Sequence, residues 1–148
     1  MDQPTAQDAL RALELLVGEW VVEAKGPDGQ AWSGGGRATF EWGPSKAHLV
    51  QRTVIDVPGA PDSTSIMGCD GSNGTFVQLY SDERGVCRIY SMEIDSKEWV
   101  LQRDGDPFPQ RFVGAISDDV RTITGRWEKA EGGGDFAVDF YLTYRKVG

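Results

Sequence analysis

The sequence predicts an all-β fold: one antiparallel up-and-down β-barrel of about ten strands, with a short N-terminal helix closing one end. Three observations carry this. From Gly18 to Lys146, short runs alternate apolar and polar residues with a period of two. Tight Gly-, Pro- and Asp-rich turns separate those runs. Helical spacing occurs only before Gly18, so no helix is left to cross between parallel strands.

The opening reads as a capped helix. Thr5 followed by Asp8 resembles a capping box with Asp in place of Glu or Gln. Leu10, Leu13, Leu16 and Val17 then recur at helical spacing over about three turns, and Gly18 is expected to stop the helix. The first strand follows, with Trp20, Val22 and Ala24 on one face. Pro27-Asp28-Gly29 turns the chain. A second strand is expected over 31–42, interrupted by Gly34-Gly35-Gly36, which reads as the bend that a barrel corner needs.

Residues 47–57 give the clearest strand, rich in β-branched side chains. A loop over 58–62 leads to a short strand at 65–69 and a tight connection at 70–74. Residues 75–80 and 86–94 form a hairpin across Asp82-Glu83-Arg84-Gly85. Strands at 98–103, 111–116, 122–129 and 136–146 complete the series. Successive strands joined by tight turns are antiparallel neighbours, and closing the meander removes its exposed edges.

Composition bounds the function. The 148 residues suit one domain spanning 1–148. The formal charge is -8, from 23 acidic and 15 basic residues spread without blocks. Such a surface argues against nucleic acid or an anionic membrane as partner, since both call for a basic patch. No apolar run approaches the ~20 residues of a membrane helix. The start, Met1-Asp2-Gln3-Pro4-Thr5, lacks the layout of a signal peptide, so a cytoplasmic protein is expected. Cys69 and Cys87 share no motif and read as two small buried apolar side chains, not a disulfide.

The short helix, Gly18-Glu19-Trp20 at the first strand and Arg145 in the last together resemble the calycin pattern of lipocalins and fatty-acid-binding proteins. That resemblance implies that Gly18, Trp20 and Arg145 are structural, with Arg145 packed across the Trp20 indole to seal the base. The strand count is nearer to fatty-acid-binding and nitrobindin-like haem barrels than to eight-stranded lipocalins. The whole chain also resembles an uncharacterised bacterial family defined only as a domain of unknown function. The shared cues are Leu15-Leu16-Val17-Gly18-Glu19-Trp20, Gly68-x-Asp70 and Thr122-Ile123-Thr124-Gly125-Arg126. Nitrobindin-like barrels hold haem through a C-terminal histidine. Here no histidine follows His48, so haem ligation of that kind is not supported and no cofactor is assigned.

His48 is the only histidine and can complete no His-rich metal site, so no metal is assigned. It shares a face with Val50 and Arg52 by alternation, which makes it either a satisfied strand residue or a ligand-contacting, proton-transferring one. Arg52, Arg88, Arg103, Arg126 and Arg145 all fall inside strands. They either pair across strands at the surface or, in one or two cases, point inward to hold a carboxylate or phosphate. Aromatics occur on almost every strand, and Tyr80, Arg88, Tyr90 and Trp99 fall on expected neighbours. The candidate ligand contacts are therefore His48, Arg52, Tyr80, Arg88, Tyr90, Trp99 and Arg126.

Three functions stay open. The first is non-catalytic binding of a small apolar or amphipathic molecule by a monomer or homodimer. The second is an enzyme in the same cavity, a hydrolase, isomerase or cyclase, with His48 or an Arg/Tyr pair as acid–base group. The third is a packed barrel acting only through its surface.

Overall fold

The computed structural model describes residues 6–70 and 75–148. Thr5 and the connection over 71–74 lie outside the described residues. The opening helix α1 (Ala6–Leu10) passes directly into a 3-10 helix over Arg11–Leu16. The expected three turns of helix are therefore tightened in their second half. The spacing of the leucines explains why: side chains three apart eclipse in a 3-10 helix, so Leu10, Leu13 and Leu16 stack on one side. All three are buried. Gly18 does not stop the helix as expected. It opens the first strand, at φ +133°, a conformation that L side chains rarely adopt.

Ten strands follow among the described residues: β1 (Gly18–Lys25), β2 (Gly36–Trp42), β3 (Leu49–Ile55), β4 (Ser63–Asp70), β5 (Thr75–Asp82), β6 (Cys87–Ile94), β7 (Glu98–Arg103), β8 (Gln110–Ile116), β9 (Thr122–Lys129) and β10 (Ala137–Lys146). Each pairs antiparallel with the next, and β1 pairs with β10, which closes the barrel. The second strand starts later than its sequence suggested. Ala31 makes only an isolated bridge to Lys25, and the chain bends before Gly36. Gly34, at φ +100°, lies so close to the Asp56 carbonyl that a Cβ there would overlap it.

The barrel has one packed end. Trp20, Phe40, Leu49, Met67, Phe76, Met92, Trp99, Ile116, Ile123 and Tyr144 fill it together with the three leucines. The Trp20 indole donates to the Leu16 carbonyl at 2.8 Å, tying the helical segment to the barrel floor. Its ring meets Phe40 and Tyr144 edge-on, at 6.4 and 6.5 Å between centroids.

Arg145 does not cover that indole. Alternation along β10 turns Tyr144 and Lys146 inward, so Arg145 faces out, where it lies 3.6 Å from Glu23. The cation over Trp20 is Lys146, with Nζ 5.3 Å from the ring. A Cβ on Gly18 would come within 3.1 Å of the Lys146 side chain. The missing side chain at Gly18 thus leaves the Lys146 stem its path.

A second close fit lies in the wall between the packed end and the open end. Gly114 on β8 is in register with Gly125 on β9. The Phe112 ring lies against both; a Cβ on Gly125 would stand 2.5 Å from it. The ring fills the notch that two absent side chains leave. Gly125→Ala is expected to lower unfolding free energy by about 1–3 kcal/mol through overpacking. Gly68→Ala, whose Cβ would meet nothing within 4 Å, should stay within about 0.5 kcal/mol of the parent. Urea titrations of the three proteins check both.

Candidate functional site

Above the aromatic plug the barrel is hollow. The cavity has a volume of about 810 Å³, inside the range of roughly 300–1,000 Å³ typical of small-molecule sites. Its two walls differ in chemistry because the strands that build them alternate in opposite senses.

Where β3, β4 and β5 line the cavity, their inward positions are mostly polar: Gln51 and Thr53, Ser63 and Ser65, Gln78 and Tyr80. Their outward neighbours Val54, Ile66 and Leu79 are exposed. On β7 to β10 the inward positions are mostly apolar, with Trp99, Leu101, Phe112, Trp127, Phe140 and Leu142. Trp99 and Phe112 meet at 5.1 Å between centroids and Phe112 and Trp127 at 5.3 Å. A continuous aromatic wall thus faces an amide and hydroxyl wall. At the mouth, Trp32 stacks on Phe140 at 5.5 Å, and the loop over 57–61 completes the rim.

Two polar clusters stand on the mouth side. In the first, Asp82 has a fully buried carboxylate. It accepts from Arg84 Nη2 at 2.7 Å, from the Arg84 backbone N–H at 2.9 Å and from the Tyr80 hydroxyl at 2.8 Å. These donors, Arg84 foremost, hold its pKa well below the usual aspartate range against the opposing effect of burial. Burial, reinforced by the hydrogen bond to Asp82, pushes the Tyr80 phenol far up.

In the second cluster, Gln110 Oε1 accepts from Arg88 Nη1 at 2.8 Å and from the Tyr90 hydroxyl at 3.0 Å. Burial raises the Tyr90 pKa, opposed by Arg88. Among the described residues Arg88 makes no carboxylate pair, so its charge faces the cavity with a neutral partner. Arg103, on the same face of β7 as Leu101, reaches over the seam with β6. It donates to the Ile89 carbonyl at 3.4 Å and the Asp106 carbonyl at 3.1 Å.

Deeper in, Gln51 Nε2 donates to Thr53 Oγ1 at 3.1 Å. The Tyr144 hydroxyl bonds to Gln51, and full burial carries its pKa to about 12. Gln78 Oε1 and Trp99 Nε1 are buried with no partner.

The sequence candidates divide by strand parity. Tyr80, Arg88, Tyr90 and Trp99 come together on the cavity wall. His48, Val50 and Arg52 do share a face, as alternation implied, but it is the outer one. Arg52 approaches Glu41 at the surface at 4.0 Å, and the His48 imidazole packs against Gly43. Arg126 is also outward, 3.6 Å from Glu128. Sequence reasoning passed over Gln51, Gln78 and Gln110; for Gln78, an uncharged polar residue between Val77 and Leu79 in a strand was the available signal. No disulfide joins Cys69 and Cys87, but neither is buried as expected: Cys69 is half-buried and Cys87 exposed. Among the described residues no cluster of three or more His, Cys, Asp or Glu side chains gathers as a metal site, and no helix is long and apolar enough to cross a membrane.

No family model matches the chain, and no curated protein does. Among solved structures it is similar to the one described as "Crystal Structure of Rv2717c from M. tuberculosis". The TM-score is 0.64 at 13% sequence identity, and the match covers 95% of this chain and 98% of that one. At that identity the likeness shows the fold alone: the same barrel, end to end.

Asp82 links the rim to stability. Its folded pKa lies below the ordinary 3.8, so its stabilising effect is present above about pH 4 and is lost as pH falls below that. Asp82→Asn is expected to cost about 2 kcal/mol at pH 7. Denaturant midpoints recorded from pH 7 down to pH 2 should converge for the two proteins at the acid end.

Proposed function

We propose that this barrel binds a small amphipathic molecule in its cavity without transforming it, as a calycin-like carrier in the cytoplasm that needs no cofactor. The observation that carries the reading is an 810 Å³ hollow whose apolar wall ends at Arg88, a cation with only a neutral partner. Removing apolar ligand surface from water supplies roughly 25 cal/mol per Å². The Arg88, Tyr90 and Gln110 cluster then orients the polar end.

The titration states favour binding over acid–base chemistry. Tyr80 and Tyr90 are pushed up, Tyr144 lies at about 12, and Asp82 is pushed down. General acid–base catalysis at neutral pH works best with a group tuned close to it, and these four all move away. His48, the other sequence candidate for proton transfer, lies on the outer face. A cavity of this size also weighs against a barrel that works only through its surface.

Native mass spectrometry of freshly purified protein is expected to show a stoichiometric adduct that denaturation releases. In parallel, 8-anilinonaphthalene-1-sulfonate should bind with a rise in fluorescence, and Arg88→Gln should weaken it about tenfold, as loss of a charge-assisted hydrogen bond implies. At one hundred times Kd the probe should stabilise the fold by about 2.7 kcal/mol. A clean apo mass, with no probe binding that Arg88→Gln affects, would sink the reading.

A further inference from the structure

We propose that the inner end of the cavity recognises the polar edge of an uncharged planar ring carrying a hydrogen-bond donor beside an acceptor, as in a lactam or cyclic imide. The inference rests on the binder reading above and specifies its ligand. Gln78 on β5 and Trp99 on β7 both line the cavity, at 3% and 1% exposure. Each ends in a buried polar atom without a partner, the amide Oε1 and the indole Nε1. Their neighbours Gln51, Thr53 and Tyr144 satisfy one another, and the third buried polar atom without a partner among the described residues, Arg103 Nε, belongs to a residue outside the cavity lining.

A buried polar group without a hydrogen bond is costly to the fold. The missing bonds have to be supplied from the cavity once the side chains turn toward it. A ligand does so if it brings an acceptor for the indole N–H and a donor for the amide oxygen. Gln78 has three rotatable bonds with which to swing its amide to meet it. A carboxylate end fits poorly here, because it only accepts. Along β5 the inward row runs Gln78, Tyr80, Asp82, and along β6 Arg88 follows Tyr90 toward the rim. The cations therefore stand a layer above, and nothing at the floor offsets the desolvation of a charge.

The walls call for a flat body. Trp99, Phe112 and Trp127 present ring edges and faces on one side, while Ser65 and Thr53 leave little bulk on the other. Offset stacking against such a wall adds to area burial. An anionic substituent on the ligand, if present, points back to Arg88 at the mouth.

The test uses two probes of the same fused-ring shape, 2-quinolinone, which has the lactam edge, and naphthalene, which does not. Calorimetric titration of the full chain gives Kd for each. Gln78→Leu and Trp99→Phe should each weaken 2-quinolinone about tenfold more than they weaken naphthalene. Circular dichroism confirms folding, and the two variants serve as independent tests should one fail to fold. If both probes weaken together, or neither does, the recognition of a polar edge is overturned. Naphthalene binding with no 2-quinolinone binding overturns it too, yet leaves the binder reading standing. Binding of neither probe overturns both.

Discussion

The Trp20 indole is the contact on which the rest depends. Its N–H holds the last carbonyl of the helical segment, its edges meet Phe40 and Tyr144, and Lys146 lies over its face. These four contacts come from three parts of the chain: the N-terminal helix, β2 and the final strand. The indole therefore joins the first strand to both of its barrel neighbours and to the cap. A barrel of ten strands is too wide for its own side chains to fill throughout. Concentrating the large rings at one end lets the other end stay open at little cost to the core.

Glycine supplies what that concentration requires. Gly18 leaves a path for the Lys146 stem, and the paired Gly114 and Gly125 form the notch that receives Phe112. The ring seated there continues upward as the aromatic wall of the cavity, through Trp127. The residues Thr122 to Arg126, which in sequence look like a turn-and-packing motif, thus shape the cavity indirectly. Gly125 sets where Phe112 stands, and Phe112 sets where the hollow begins.

The fold was legible in the sequence because alternation and turn chemistry are local. The strands Glu98–Arg103 and Thr122–Lys129 have the boundaries their patterns implied. The direction of each face was not legible, because the cavity-lining parts of β3, β4 and β5 reverse the usual rule. Gln51, Thr53, Ser65 and Gln78 point inward while Val54, Ile66 and Leu79 are exposed. A hollow interior removes the apolar demand that normally fixes register to the core. Without that demand, the common face of His48, Val50 and Arg52 could be identified but not placed. The cation over Trp20 failed on the same ground. One step of strand parity separates Arg145 from Lys146, and nothing local decides it.

The seam between β6 and β7 has a mechanical meaning. Their pairing runs only from Ser91 and Gln102 to Ile94 and Trp99, the shortest register among the described strands. Above it the Arg103 side chain, not a paired strand residue, reaches across to the Ile89 carbonyl. Side chains rotate far more readily than strands separate, and openings with few hydrogen bonds to break have the lowest free energy. The wall is thus a closed cylinder with one soft line, and that line borders the hollow at its cationic rim. Tightly packed rings at one end and a short pairing beside the hollow thus divide the barrel into a well-tied part and a loosely tied one.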